Sequence, residues 1–388
     1  MRGNPACGRA FPGMIISTRL VTSLLAMAII PVLAAAAYPP RESVERIVAR
    51  EVAPLLSANE AGGVAAAVRI GGRTLFYNFG LADLASRRPM TSDLLFNVAS
   101  IGKVFDATLL AQAVIRGEVS LDDPVVKYVP ELARGGDIAG VTVGQLATHT
   151  SGLLLPQDHP PWPTEHYTLP DFIRTLNAWT AEPHHRPGEQ HMYTHAGYML
   201  LHLAIERRFG KPFDELINER VVAPLGLGDT LLPPPGADNP RGELPGALKT
   251  RAVQGFDEDG TPVGEPGDIQ GYYLWRGTGQ MFSSARDLAT FVAINLGEVS
   301  VDPELARALA ATRQPAVVIS PHNRQGLGWE INLNAIPIVE KNGGLDNSST
   351  YVGLMPSRRL GVVVLNNRGN QDPASVGRRI LLELAKVE

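Results

Sequence analysis

The sequence predicts an α+β fold, with an antiparallel sheet drawn from both ends of the chain and interrupted by a mostly helical insertion. Three observations carry that expectation: strand-and-turn patterns near the start, a matching pair near the end, and helical periodicity between them. Near the start, Gly62–Ile70 and Thr74–Gly80 read as strands joined through Gly71-Gly72, a hairpin signal because tight two-residue turns need residues that tolerate positive φ. Thr350–Leu354 and Gly361–Leu365 form the second pair, turning near Pro356–Arg359. An amphipathic helix is expected at each end. In the first, Val44, Ile47, Val48, Val52, Leu55 and Leu56 fall on one face and Glu42, Glu45, Arg46 and Arg50 on the other. The second is Ala374–Lys386. Helical segments are expected at Lys103–Ile115, Val143–Thr148, Leu169–Asn177, Gly197–Arg208 and Phe213–Val221, separated by loops rich in Pro and Gly. No internal repeat is visible.

With 388 residues, 44% of them hydrophobic, the chain can bury a large core. A formal charge of −4 without blocks of like charge gives no reason to expect nucleic acid or an anionic membrane surface as partner. The single cysteine, Cys7, lies in a stretch that reads as a removable presequence. There, Arg2, Arg9 and Arg19 precede an apolar run from Leu20 to Ala37 that ends in Ala-x-Ala sites, the pattern of a Sec-type signal peptide. The expectation is a signal peptide over residues 1–37 and an exported, periplasmic mature chain over 38–388, free of disulfides and of the membrane. An α/β part is expected over about 38–98 and 280–388, and a helical part over about 99–279.

Chemistry enters at Ser100-Ile101-Gly102-Lys103. Three-residue spacing on a helix puts the serine hydroxyl and the lysine amine on one face. A hydroxyl becomes a good nucleophile when a neighbouring base takes its proton, and the free N–H groups of a first helical turn can hold an oxyanion. Such a spacing alone is common. Its weight comes from two further motifs in order along the chain, Tyr193-Thr194-His195 and Lys341-Asn342-Gly343-Gly344, which parallel the motif set of serine β-lactamases and penicillin-binding proteins.

In these motifs the chain resembles the class C, AmpC-type β-lactamases, in which a Tyr-x-Asn stands at the second position. The resemblance extends through Ile115–Val125, Tyr128–Leu132, Leu146–Gly152 with Gln157, Val222–Leu227 and Gln325–Glu330, and covers nearly all of the mature chain. It implies the serine β-lactamase/DD-peptidase fold, with the active site in the cleft between the α/β and helical parts. It also implies that Ser100 is acylated, that Lys103 and Tyr193 handle its proton, and that Lys341 adds positive charge beside them. The backbone N–H groups of Ser100 and Gly344 would form the oxyanion hole. Gln157, His195, Asn342, Gly343 and Gly344 would line the substrate. No cofactor and a monomeric protein are expected.

Two departures from the family pattern stand out. His195 replaces the asparagine, and Lys-Asn-Gly replaces Lys-Thr-Gly; a neutral imidazole offers one donor and more bulk than a carboxamide. Seven of the nine histidines, His149, His159, His166, His184, His185, His191 and His195, bracket the expected cleft. Their spacings match no metal-ligand signature, and zinc is the alternative to a site without a cofactor. Trp162 and Trp275 are expected in loops at the pocket or in packing. The functional expectation is hydrolysis of a β-lactam amide through an acyl-enzyme on Ser100. The alternatives are a D-alanyl-D-alanine carboxypeptidase or small-ester hydrolase using the same acylation, and a non-catalytic binding protein of the same fold.

Overall fold

The computed structural model describes residues 38–155, 167–234, 242–268 and 280–387. The expected signal peptide, Gln157, His159, His166, Trp162 and Trp275 lie outside the described residues. Among the described residues, no helix is long and apolar enough to cross a membrane.

Strands β1 (Gly63–Ile70), β2 (Arg73–Asp83) and β3 (Arg88–Pro89) come first, followed by the short pair β4 (Phe96–Asn97) and β5 (Phe282–Ser283). After these come β6 (Val317–Ser320), β7 (Asn323–Gln325), β8 (Glu330–Asn332), β9 (Ile338–Leu345), β10 (Ser348–Met355) and β11 (Leu360–Asn366). Nine of them form one sheet in the order β3-β2-β1-β11-β10-β9-β8-β7-β6, with every neighbour pair antiparallel. The two ends of the chain meet at the β1–β11 pair, where Val64 faces Asn366 and Arg69 faces Gly361. The expected turn at Gly71-Gly72 is present, with φ of +58° and +70°.

Period-two alternation assigns each strand residue to one of two cores. Val64, Ala66, Val68, Tyr351, Val362 and Val364 pack with helices α1 (Arg41–Val52) and, at the C-terminus, Pro373–Leu384. Ala65, Ala67, Val352, Leu354, Val363 and Leu365 pack into the larger opposite core. That core contains α2 (Gly102–Ile115), α3 (Val143–Ala147), α4 (Leu169–Ala178), α5 (His195–Phe209) and α6 (Phe213–Ile217). It also receives two helices that follow α7 (Gly246–Lys249): α8 (Ala285–Asn295) and α9 (Pro303–Thr312). The C-terminal helix is α10.

Helix α2 is buried continuously from Gly102 to Ala113, as expected of a helix that is apolar all round and enclosed by others. Capping boxes start α3 at Thr142 and α4 at Thr168. Gly210, with φ +65°, closes α5.

Three local expectations are refined. The first helix stops at Val52 and tightens into a 3₁₀ turn over Ala53–Leu55, because Pro54 has no N–H to continue the ladder. The stretch expected as one helix over Phe213–Val221 is α6 followed by a π turn over Asn218–Val222. The short strands β6–β8, which lead out to one edge of the sheet, are three to four residues long and carry no pattern in the sequence.

Candidate active site

Ser100 sits in a 3₁₀ turn, Ala99–Ile101, that leads straight into α2. The turn is held on several sides. Asn97 Oδ1 accepts from Ala99 N at 3.0 Å, while Thr350 and Ser348 of β10 donate to the carbonyls of Val98 and Asn97, both at 3.0 Å. A Cβ on Gly343 would lie 2.5 Å from Val98 O, so glycine there lets β9 approach the turn. Ala99 has φ +49°, a strained value for a residue with a side chain, of order 1 kcal/mol or more. Strain stored next to a serine and fixed by surrounding hydrogen bonds is a mark of a preorganised site.

Three of the sequence motifs meet at this serine. Tyr193 Oη donates to Ser100 Oγ at 2.8 Å, and Lys103 Nζ lies 3.3 Å from the same oxygen. Lys341 Nζ stands over the Tyr193 ring at 4.8 Å from its centroid, and Lys103 Nζ at 5.4 Å. Tyr193 comes from the segment that leads into α5. Met192 N donates to His149 O at 2.7 Å and Thr194 N to His149 Nδ1 at 3.3 Å, and Thr194 then caps α5 by accepting from Gly197 N. His149, at φ +55°, is fully buried and stacks on Tyr193 at 4.2 Å and Tyr198 at 5.0 Å.

Two ammonium groups in one small region set the electrostatics. Burial opposes ionisation of the Tyr193 phenol, but the charges of Lys103 and Lys341, with the hydrogen-bonding contacts to Ser100 and Lys103, outweigh it and hold the phenol below its usual range. Burial also opposes the charge on Lys341. The field of Tyr193 and the carboxylate of Glu330 win, and its affinity for a proton is raised. Glu330 Oε1 lies 2.7 Å from Lys341 Nζ, which keeps the glutamate ionised despite burial. For His195 and His149 every effect has one sign. Burial, then Lys103 and Lys341, pushes His195 down to about 3; burial first, then Lys341 and Lys103, pushes His149 well below its ordinary value. Both are neutral at physiological pH.

The remaining expected site residues take these places. His195 opens α5, half-buried, with its ring edge-on to Tyr193 at 5.5 Å. Asn342 is exposed on β9, Gly343 is buried, and Gly344 is exposed with open space where a Cβ would stand. His191 Nε2 lies 3.2 Å from Gln325 Oε1. His185 is 3.5 Å from Glu182, and His184 is exposed. Among the described residues, no three His, Cys, Asp or Glu side chains are grouped as metal ligands.

Sequence reasoning missed the role of Glu330, although it quoted the segment that carries it. Gly328, at φ +74°, brings that segment within 2.6 Å of Lys103 O, measured from where a Cβ would stand. His149 is expected from sequence only among the histidines bracketing the cleft; its place against the phenol depends on tertiary packing.

A serine contacted by a lysine and a tyrosine, set between a nine-stranded antiparallel sheet and a helical layer, defines the serine hydrolases of the β-lactamase type. The chain belongs to the Beta-lactamase family, whose model it matches over residues 46–386. It is 28% identical to a beta-lactamase of Pseudomonas fluorescens over 84% of this chain and 94% of that one. It is also 28% identical to a beta-lactamase of Escherichia coli (strain K12), over 86% and 92% respectively. Among solved structures, the D-alanine carboxypeptidase AmpC from Burkholderia cenocepacia superposes with a TM-score of 0.75 at 26% identity, covering 89% of this chain and all, 100%, of that one. A class C beta-lactamase in complex with cefoxitin shares the fold at a TM-score of 0.76 and 24% identity, over 88% and 99%. The resemblance to class C enzymes read from the sequence is borne out.

Proposed function

We propose that this chain hydrolyses β-lactams through an acyl-enzyme on Ser100. The observation that carries the reading is the contact of one hydroxyl with both a phenol, at 2.8 Å, and an amine, at 3.3 Å. Ser100 Oγ attacks the lactam carbonyl while its proton passes to Lys103 or Tyr193. The oxyanion accepts hydrogen bonds from the N–H groups of Ser100 and Gly344. Collapse breaks the C–N bond, the amine nitrogen takes up the proton, and the ester on Ser100 remains. A water deprotonated by the same groups then attacks the ester and releases Ser100. Lys341, balanced by Glu330, favours the anionic phenol. Gln157 and His195 contact the substrate's amide side chain, and Asn342 and Gly343 lie along the strand that pairs with substrate. No cofactor enters the scheme.

The same acylation serves a D-alanyl-D-alanine carboxypeptidase or small-ester hydrolase. The superposition on a carboxypeptidase at 26% identity favours that as the second reading. Nitrocefin turnover combined with intact-protein mass spectrometry separates the two. Rapid turnover without an accumulated adduct supports the β-lactamase, whereas a stoichiometric, long-lived adduct together with release of D-alanine from a D-Ala-D-Ala peptide supports the carboxypeptidase. Unchanged ligand processing by Ser100→Ala would instead make the protein a binder.

For the whole chain, the proposal takes residues 1–37 as a Sec signal peptide and 38–388 as a single periplasmic, monomeric catalytic unit, with α/β parts at about 38–98 and 280–388 and a helical part at about 99–279. N-terminal sequencing of the secreted protein tests the cleavage site.

A further inference from the structure

Four consecutive residues of the segment that introduces the phenol touch one residue of the helical part. His191 sets its ring edge-on to that of His149, with centroids 5.9 Å apart and planes at 81°. Met192 N donates to His149 O at 2.7 Å, the Tyr193 ring lies on the imidazole at 4.2 Å and 30°, and Thr194 N donates to His149 Nδ1 at 3.3 Å. The main-chain N–H groups on either side of Tyr193 are thus bonded to the residue that lies under its ring. Tyr198 of α5 also packs on the imidazole, at 5.0 Å and 33°. From the sheet side the segment is braced at His191. Gln325 Nε2 donates to the carbonyls of Gly326 and Trp329 at 3.1 and 2.9 Å, which leaves Gln325 Oε1 to accept from His191 Nε2 at 3.2 Å.

This arrangement asks three things of residue 149. Its carbonyl and its side chain must serve the same short segment, and they do so at φ +55°, in the left-handed region that Asn, Asp and His enter more readily than other residues with side chains. It must accept a hydrogen bond in the interior: an Nδ1 that accepts from Thr194 carries no proton, so the hydrogen of the neutral ring is on Nε2. It must present a flat face to the phenol. Asparagine meets the first two demands and phenylalanine only the third, whereas histidine meets all three. A proton on Nδ1 would oppose the Thr194 N–H; burial, then Lys341 and Lys103, with His191 and His195 in the same sense, keeps the ring neutral.

We propose that His149 is a positioning residue, a clamp and a bed that together hold the Tyr193 phenol against Ser100 and between the two lysines. It touches no reacting atom and acts through Tyr193, whose Oη lies 2.8 Å from Ser100 Oγ. The proposal rests on the hydrolase reading for its kinetic arm, whereas its spectroscopic arm needs no turnover.

The deciding probe is the 13Cζ resonance of Tyr193 in the tyrosine-labelled protein, assigned by its loss in Tyr193→Phe and followed with pH. The groups that face the phenol are Lys103, Lys341, His149, His195 and the Ser100 hydroxyl. Together with burial they hold it below its ordinary value near 10. A phenol that slackens loses field and burial together, so its midpoint returns upward. In His149→Asn, which keeps the acceptor and loses the bed, the midpoint is expected to rise by about half a pH unit or more, and kcat to fall about ten- to hundredfold with KM little changed. His149→Phe keeps the bed and loses the acceptor, and both readouts are expected to move less, kcat by about two- to tenfold. Should one variant fail to fold, the other decides. A Tyr193 midpoint at or below that of wild type in every variant that folds overturns the proposal, whatever happens to stability or rate, because a residue that only packs leaves the surroundings of the phenol intact. A raised midpoint in a protein that turns over neither nitrocefin nor a D-Ala-D-Ala peptide leaves this assignment standing and sinks the hydrolase reading.

Discussion

The two walls of the site are built on opposite principles. On the sheet side, the buried charge that faces the site has a direct partner: Lys341 meets Glu330 at 2.7 Å. On the helical side, polar atoms are left short of partners and backbone strain collects. His149 combines φ +55° with an Nε2 that makes no hydrogen bond among the described residues, and both ring nitrogens of His202 also lack one there. The sheet wall fixes a charge in place. The helical wall holds the neutral rings of His149 and His195 and a strained turn beside the hydroxyl of Ser100, and such sites give up stability for preorganisation. Substitutions on the helical wall should therefore act mainly on rate, and those on the sheet wall mainly on stability.

The largest effect tests the helical wall. Lys103→Ala is expected to remove acylation, lowering kcat/KM by at least about 10³-fold, with no adduct on Ser100 in the intact mass spectrum after incubation with a β-lactam. An adduct forming at the wild-type rate would show that the amine at 3.3 Å is a bystander.

On the sheet wall, Glu330→Gln leaves Lys341, 2% exposed, without its carboxylate. Losing one partner of a buried pair costs about 3–5 kcal/mol, and the 34% exposure of Glu330 places the expectation at the low end, about 3 kcal/mol in urea unfolding. An unchanged urea midpoint would remove the contrast between the walls.

Acid should expose the helical wall next. A histidine whose folded pKa is depressed contributes stability above its unfolded value, near 6.5, and loses it as pH falls toward the folded value. For His195 that window runs down to about 3, and His149 behaves in the same direction. Each group is expected to give a slope of up to about 1.4 kcal/mol per pH unit. Carboxylates with depressed values, such as Asp123 at about 2, surrender their share only below about pH 4. Unfolding free energies between pH 6.5 and 4 therefore isolate the imidazoles, His191 among them because burial lowers it too, and His195→Asn should remove about a third of the slope. A flat curve across that range would mean that neither ring is held neutral by the fold.

This contrast was only half legible in the sequence. Strand alternation and the Gly71-Gly72 turn disclosed the sheet because its period and its turn are local properties. The spacing Ser100-x-x-Lys103 disclosed one face of a helix for the same reason. Tyr193 and Lys341 were found by resemblance, since nothing local says that residues 93 and 241 positions downstream of a serine will touch or surround it. Glu330 and His149 depend on which helix faces which strand, and that is decided by packing. Strands as short as Asn323–Gln325 carry too few residues for a period to emerge.

The smallest effect decides how His195 differs from the asparagine whose place it takes. Its ring stands edge-on to Tyr193 at 5.5 Å and remains neutral down to about pH 3, so it cannot be the group that titrates in the range where such enzymes are assayed. It offers substrate a single donor where a carboxamide offers two. His195→Asn is therefore expected to change nitrocefin kcat by less than about tenfold, in keeping with one neutral hydrogen bond of about 0.5–1.5 kcal/mol. The larger change should fall on the ratio of KM values between substrates with and without an amide side chain. The acid limb of kcat/KM between pH 5 and 7 should stay where it is. If that limb vanishes in the variant, the imidazole carries a proton during turnover, and the helical wall holds an acid–base group where only a neutral donor is expected.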